Sequence, residues 1–400
     1  MAQQNPSDQE RTMAFTAHDA PVEAPSLQEE PEKNAKKNKK NKKNKDKKPG
    51  KIATFWDMLV GRKKTRKVKA YFYSLFGCIL VCLIFGSFLM YGPFHFLRDT
   101  LITTAMTTYS HKYFAQWFYD EETIAAIMAK NAVSPPSGTT DTSQITVTSK
   151  MDASDIKITD VSRNGFKGWM MEIPDPSWVR LGVPQNFGKH GTKLPNIMTD
   201  YNAIAGINAG GFADNNGFGN GGTPVGMVIV DGDIIYNSSA TYHNLIGFNE
   251  DNVLVIGKYT TSEIKAMNIR DAVEFTPALI INGEPAAISG NGGWGYAPRT
   301  AIGQKKDGTV LFLVIDGRSA SSAGATMKHL LEIMVEFDAY NAANLDGGSS
   351  SVLMHNDVVL NNPSGSDSDG MRFLPNAWLI IDPAKFQLPT DRPPYTSRNE

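Results

Sequence analysis

The stretch Ala70–Tyr91, AYFYSLFGCILVCLIFGSFLMY, constrains this chain more than any other feature: 22 residues pass without a charge. As a helix it is about 33 Å long, enough to cross a hydrocarbon layer of roughly 30 Å. Tyr71 and Tyr73 stand at one end and Tyr91 at the other, where amphipathic rings favour the membrane interface. A buried core helix of this length would carry a stronger polar residue than serine. A cleaved signal peptide would have a shorter apolar region, no long tail before it and a small-residue cleavage pattern after it. The sequence therefore predicts one transmembrane helix, 70–91.

Charge distribution orients that helix. Lys+Arg 40 against Asp+Glu 41 reads as neutral, yet seventeen of the bases fall in residues 33–69, with only Asp46 and Asp57 against them. GRKKTRKVK lies directly before the span, so the positive-inside rule puts residues 1–69 in the cytoplasm and everything after Tyr91 outside. The run KNAKKNKKNKKNKDKKPGK has too few apolar residues to offset chain entropy and is expected to be disordered. No aromatic residue interleaves the lysines and no nucleic-acid module follows. The expected partner of this tail is the anionic surface of the lipid bilayer, not nucleic acid. A cytoplasmic nucleic-acid protein is a reading that the outward placement of Asp346 would exclude.

Cys78 and Cys82 are the only cysteines, four apart on one face of the span. They are either packed small residues or a dimer contact. The outer part has no disulfide and no thiolate zinc site, and a domain of that size has core enough without one.

Residues 92–131 read as a helical segment that either lies along the membrane or forms a stalk. Phe94, Leu97, Leu101, Met106, Tyr113, Phe114, Trp117 and Phe118 recur at three- and four-residue steps, and Asp120 is placed to cap a helix carrying Ile124, Ile127 and Met128. Ser134-Pro135-Pro136-Ser137-Gly138 breaks the pattern, so 132–144 is drawn as a linker and 145–385 as the outer domain, with a tail at 386–400. That domain is dominated by short β-prone runs around turn pairs: Asp231-Gly232, Asn282-Gly283, Asp307-Gly308 and Asn356-Asp357. One helix, Thr326–Tyr340, stands out. The fold class is α+β, a mixed, largely antiparallel sheet with few helices, preceded by the transmembrane helix.

Three segments set glycine beside polar groups after apolar runs: IAGINAGGF followed by ADNNGFGNGGTP, VIDGR, and NLDGGSSS. Gly210 and Gly211 in the first, and Gly347 and Gly348 in the third, allow backbone N–H groups to approach an anion, with Ser349 and Ser350 adding hydroxyl donors. Arg299, at the lip of a strand, is suited to bidentate phosphate binding, and Arg372 has the same position relative to its strand; either reads equally as a surface ion pair. Arg318 ends VIDGR, which alone is an ordinary turn. G-x-S-x-G, H-E-x-x-H and the P-loop are all missing. His95, His111, His190, His243, His329 and His355 show no metal-ligand spacing; His243 is the one held as an acid, base or structural group. Asp316 and Asp346 both end apolar runs and supply the two carboxyl groups that glycoside cleavage commonly uses.

INAGGF, GGTPVGMVIVDGDI, PRTAIG…DGTVLFLVIDGR and AANLDGGSSSVLMHNDVV, in this order from about Ile145 to Ile381, resemble the phosphodiester glycosidase family. That family contains the enzyme that uncovers mannose 6-phosphate by removing N-acetylglucosamine, and many bacterial surface proteins. The resemblance implies hydrolysis of a sugar-1-phosphodiester, in cell-envelope or exopolysaccharide metabolism, on a phosphate-linked glycan. Asn208, Arg299, Asp316, Asp346, Gly347, Gly348 and Ser349 match the family's motif residues. The family often has a third glycine where this chain has Ser349. The missing cysteines separate the chain from the disulfide-bearing animal enzymes and suggest a bacterial protein. No cofactor is required; a divalent cation bridging Asp316 and Asp346 is compatible with the motifs. The competing expectation is a non-catalytic module that binds phosphate-bearing polysaccharide.

Overall fold

The computed structural model describes residues 66–107, 112–147, 150–213 and 219–388. The basic tail up to residue 65, His111, the 214–218 part of the glycine-rich stretch and the C-terminal tail from 389 lie outside the described residues. The first described element, α1 (Arg66–Tyr91), contains the uncharged stretch Ala70–Tyr91, long and apolar enough to cross a membrane and, apart from Met90, not buried.

Three helices follow: α2 (His95–Thr107), α3 (Lys112–Phe118) and α4 (Glu121–Lys130). They bury Ile102, Ala105, Ala115, Ile124 and Ile127 among themselves. Asp120 caps α4, its carboxylate accepting the Thr123 N–H at 2.7 Å, with Glu121 and Glu122 at the positive end of the helix dipole. Tyr119 donates to the Met90 carbonyl and Tyr91 to that of Phe118, tying the end of α1 to this bundle.

The segment read as a juxtamembrane stalk and linker is hydrogen-bonded to the domain that follows. Val133–Ser134 pairs antiparallel with Ala287–Ile288. Asn291 donates from its side chain to Thr103 Oγ1 at 2.8 Å and from its backbone to Asn131 Oδ1 at 3.2 Å. Thr107 Oγ1 donates to the Trp294 carbonyl, and Thr140 shares three hydrogen bonds with the Ile256 backbone. The Pro135-Pro136 pair that marked a boundary in the sequence follows strand Val133–Ser134 without releasing the chain.

Beside that two-stranded pair, the described residues form three larger antiparallel sheets, so the α+β reading holds. The largest runs in the order Glu284–Pro285, Ala278–Ile281, Asn341–Asn344, Arg299–Gln304, Val310–Ile315, Gly168–Ile173 and Lys157–Asp160. Val310–Ile315 shows why it sits inside: all six residues are apolar and buried. Leu311, Leu313 and Ile315 face one core with Leu330, Ile333 and Met334 of a helix, while Val310, Phe312 and Val314 face the other sheets. Truncating Phe312 to alanine would cost about 3–5 kcal/mol.

Short helices occupy Leu194–Asp200 (α5) and Thr261–Ala266 (α6), followed by α7 (Met327–Glu336). The helix expected to reach Tyr340 stops at Glu336, because Asp338 turns left-handed at φ 56 and feeds strand Asn341–Asn344. The turn pairs behave as their sequences require: Asp231-Gly232, Asn282-Gly283 and Asn356-Asp357 have positive φ at both residues.

Candidate functional site

Antiparallel register gathers four chain reversals at one end of the sheets. Arg299 pairs with Ile315, so the start of one strand lies beside the end of the next, and Ala301 pairs with Asn344. Arg299, Arg318, Asp346 and the Gly211 turn that follows strand Ala205–Asn208 thereby meet at a cleft of about 620 Å³. Its charged walls are Arg299, Arg318, Arg372, Lys112 and Asp346; its aromatic walls are Phe212, Phe275, Trp294 and Tyr296; Thr104, Met106 and Thr107 of α2 close another side.

Arg299 is buried, yet among the described residues its guanidinium hydrogen-bonds only carbonyls: Nε donates to Ala325 at 3.1 Å, and Nη2 donates to Trp294 at 2.7 Å and Gly295 at 2.9 Å, with the Trp294 ring 5.7 Å away. No carboxylate lies within ion-pair distance of it among the described residues. Burial, followed by the nearby charge of Arg318, pushes its pKa down to about 9. A cation so poorly compensated favours an anion arriving from the cleft.

Arg318 has φ 59, a left-handed backbone that costs an L-residue roughly 1–2 kcal/mol. Desolvation lowers its pKa, as does Arg372, while Asp346 opposes them. Its Nη2 lies close over Gly348, 3.0 Å from where a Cβ would stand. Gly348 itself has φ 63, and a Cβ on Gly347 would come within 2.9 Å of the Pro298 carbonyl. Both glycines are therefore needed for the loop to pass between Pro298 and Arg318. Arg372 reaches in from the loop before strand Ala377–Ile380, donating to Ser349 Oγ at 3.3 Å and the Gly219 carbonyl at 3.0 Å, with its guanidinium 4.9 Å from the Phe212 ring.

The anion nest expected of the NLDGGSSS backbone is partly closed. Gly348 N–H donates to Pro298, Ser350 to Gly347 and Ser351 to Gly348. Guanidinium groups dominate the donors turned to the cleft. Asn208 and Gly210 lie behind it. Asn208 Nδ2 holds the Asp346 carbonyl at 2.6 Å while its Oδ1 accepts Thr300 Oγ1 and the Val352 N–H. Gly210 N–H donates to Asn376 Oδ1.

Two further sequence candidates do not line the cleft either. The Asp316 carboxylate is buried and accepts the Asn362 N–H at 2.7 Å and Asn361 Nδ2 at 3.2 Å, pinning the loop that leads toward Arg372. Burial raises its pKa, against those two donors and Lys167. His243 is enclosed in another sheet between Glu274, at 2.5 Å from Nδ1, and Thr261. Among the described residues, Asp346 is thus the one acid lining the cleft, and no group of three or more His, Cys, Asp or Glu is placed to hold a metal ion.

Asn344 went unnoticed in the sequence, although it stands two residues before Asp346. Its Nδ2 donates to the Thr276 carbonyl at 2.8 Å, and its buried Oδ1 has no partner among the described residues. It offers an acceptor to a ligand hydroxyl. The four aromatic walls were also unmarked, because they come from loops scattered over the chain.

Residues 201–381 match the family model of the phosphodiester glycosidases. This stretch is a phosphodiester glycosidase domain. The mouse N-acetylglucosamine-1-phosphodiester alpha-N-acetylglucosaminidase is 27% identical over 179 residues, 40% of this chain and 34% of that protein. An uncharacterized SPbeta prophage-derived protein of Bacillus subtilis is 40% identical over 67 residues, 17% of this chain and 10% of its own length. The chain therefore spans about a third or less of these curated relatives. The catalytic domain of the zebrafish N-acetylglucosamine-1-phosphodiester alpha-N-acetylglucosaminidase, solved auto-inhibited by its pro-peptide, shares the fold: TM-score 0.50, 20% identity, 61% of this chain and 88% of that one. All the cleft residues named above from Phe212 to Arg372 fall within the phosphodiester glycosidase domain; Thr104, Met106, Thr107 and Lys112 come from outside it.

Proposed function

We propose that this chain is a single-pass membrane hydrolase whose domain, on the outer face, cleaves the glycosidic bond of a sugar-1-phosphodiester belonging to a cell-envelope or exopolysaccharide glycan. The observation that carries the reading is the cleft's composition: three arginines and a lysine around one aspartate, beside aromatic walls and the unpartnered Asn344 Oδ1. The arginines suit a phosphodiester anion, and the aromatic faces and Asn344 suit a sugar ring. The uncharged span after a basic tail supports the outward topology.

Glycosidases commonly need a second carboxyl group to protonate the departing oxygen. Here the departing oxygen belongs to a phosphate, whose negative charge is already delocalised. Arg299, Arg318 and Arg372 hold that charge as it grows, so leaving-group protonation is not required. Asp346 faces the anomeric carbon and either attacks it or stabilises its positive charge. Water supplies the oxygen that becomes the sugar's C1 hydroxyl, the C1–O bond to phosphate breaks, and a proton passes to solvent. Asp316 acts as a positioning residue through the 361–362 loop and Asn208 through the Asp346 carbonyl.

The test is full-length protein in detergent, incubated with a nucleotide sugar or a sugar-phosphate polymer, with free sugar measured against an Asp346→Asn control. Release that depends on Asp346 supports the reading. Tight binding of the polymer without release would make the chain a binding module instead.

A further inference from the structure

Helices α2 and α3 have two unlike faces. Inward, Ile102, Ala105 and Ala115 are buried. Outward, Phe96 is 67% and Trp117 74% exposed, with Phe94, Leu97, Leu101 and Tyr113 also open. An aromatic and aliphatic patch of this kind in water invites association. Its position says what covers it. Only Gly92, Pro93 and Phe94 separate it from the end of α1, and its Trp, Tyr and Phe content is that of a membrane interface.

The same helix reaches the cleft. Phe94, Leu97, Leu101 and Thr104 follow one another at three- and four-residue steps, a single stripe that ends at the cleft wall. From Tyr91 to Thr104 the chain can span at most about 30 Å, much of it as helix at 1.5 Å per residue. The position of α2 is fixed by the Asn291–Thr103 and Thr107–Trp294 bonds, the second to a residue whose carbonyl also holds Arg299.

We propose that α2 and α3 rest in the outer lipid surface and that the cleft takes a lipid-linked sugar phosphodiester, an inference that rests on the glycosidase reading of the cleft. The lipid stays in the bilayer beside the Phe94–Leu101 stripe while its phosphate meets the arginines at headgroup level. Water bonds to C1 of the sugar, the bond from C1 to the phosphate oxygen breaks with its electron pair going to that oxygen, and the water proton passes to solvent. Free sugar leaves to the aqueous side and the lipid monophosphate remains.

The full chain in phosphatidylcholine–phosphatidylglycerol nanodiscs is given two probes: a sugar-1-phosphate diester of a long polyprenol and the same diester of propanol. Turnover of the long-chain diester is expected at least tenfold higher. The pair Phe96→Gln with Trp117→Gln should remove that advantage and leave the propyl diester unchanged. Brominated lipids should quench a fluorescence component that Trp117→Phe abolishes, which reads the docking without any catalysis. Equal turnover of both diesters would overturn the substrate assignment while the glycosidase reading stands. Hydrolysis of neither would remove that reading, and the substrate assignment with it. Absence of quenching would overturn the docking, and concentration-dependent burial of Trp117 without lipid would assign the face to a second copy.

Discussion

Two regions of this molecule bury arginines, and they do so on opposite terms. Between two of the sheets, Arg180 meets Asp271 at 2.8 Å and Asp231 at 2.6 Å, while Arg270 meets Asp271 at 3.2 Å and donates to Asn252 Oδ1 and the Val179 carbonyl. Two cations face two carboxylates, and the group joins strand Val179–Gly182 to strand Ile269–Glu274. At the cleft, among the described residues, three arginines and a lysine stand with one aspartate, and Arg299 hydrogen-bonds to carbonyls. A balanced cluster stabilises the assembly of sheets. An unbalanced one reserves a place for a charge that is not part of the chain.

That contrast can be broken by substitution. Asp346→Asn should lower turnover of a sugar phosphodiester on the order of 10³-fold with the thermal midpoint unchanged, read by single-turnover assay and melting. Arg180→Met should do the reverse. It leaves the fully buried Asp271 with Arg270 at 3.2 Å as its remaining cation, and should cost about 3 kcal/mol in denaturant titration while turnover per folded molecule persists. Arg299→Met should weaken binding of a phosphate ester on the order of 10²-fold by calorimetry with little change in stability, since relief from burying an uncompensated charge offsets the three carbonyls left bare. Equal destabilisation by Arg180→Met and Arg299→Met would abolish the distinction between the two clusters.

The smallest effect concerns Asp316. Its folded pKa is raised by burial above the ordinary 3.8, so the fold holds the proton more firmly than the unfolded chain does. That contribution is complete below about pH 3.8 and is lost as pH rises through the raised value. The stability difference between wild type and Asp316→Asn should therefore shrink from acid to neutral pH in urea titrations. Turnover at neutral pH should fall less than about tenfold, because Asp316 works through the 361–362 loop.

Local patterns carried the fold well. The uncharged run announced α1, and Asp-Gly and Asn-Gly pairs placed hairpins because only a few residues tolerate left-handed backbone. The cleft was legible where motif and strand end coincide, at Arg299, Arg318, Asp346 and the glycine loop, and at Arg372 before its strand. Asp316 and Asp346 look alike in sequence, each closing an apolar strand before glycine, yet one carboxylate turns to Asn361 and Asn362 and the other lines the cleft. Side-chain direction after a strand end depends on the loop packed against it, which local sequence does not record. For the same reason the docking of α2 to Asn291 could not be read: the pairing joins residues 188 positions apart.

That separation also sets a timetable. Thr103 leaves the ribosome long before Asn291 exists, so the wall of the cleft is made first and waits for its partner while most of the domain is synthesised. During that interval the faces of α2 and α4 that later pack together have only each other and their surroundings. The cleft closes last, when a late loop returns to the first folded part of the chain. A chain that stalls between them would present finished helices and an unfinished cleft.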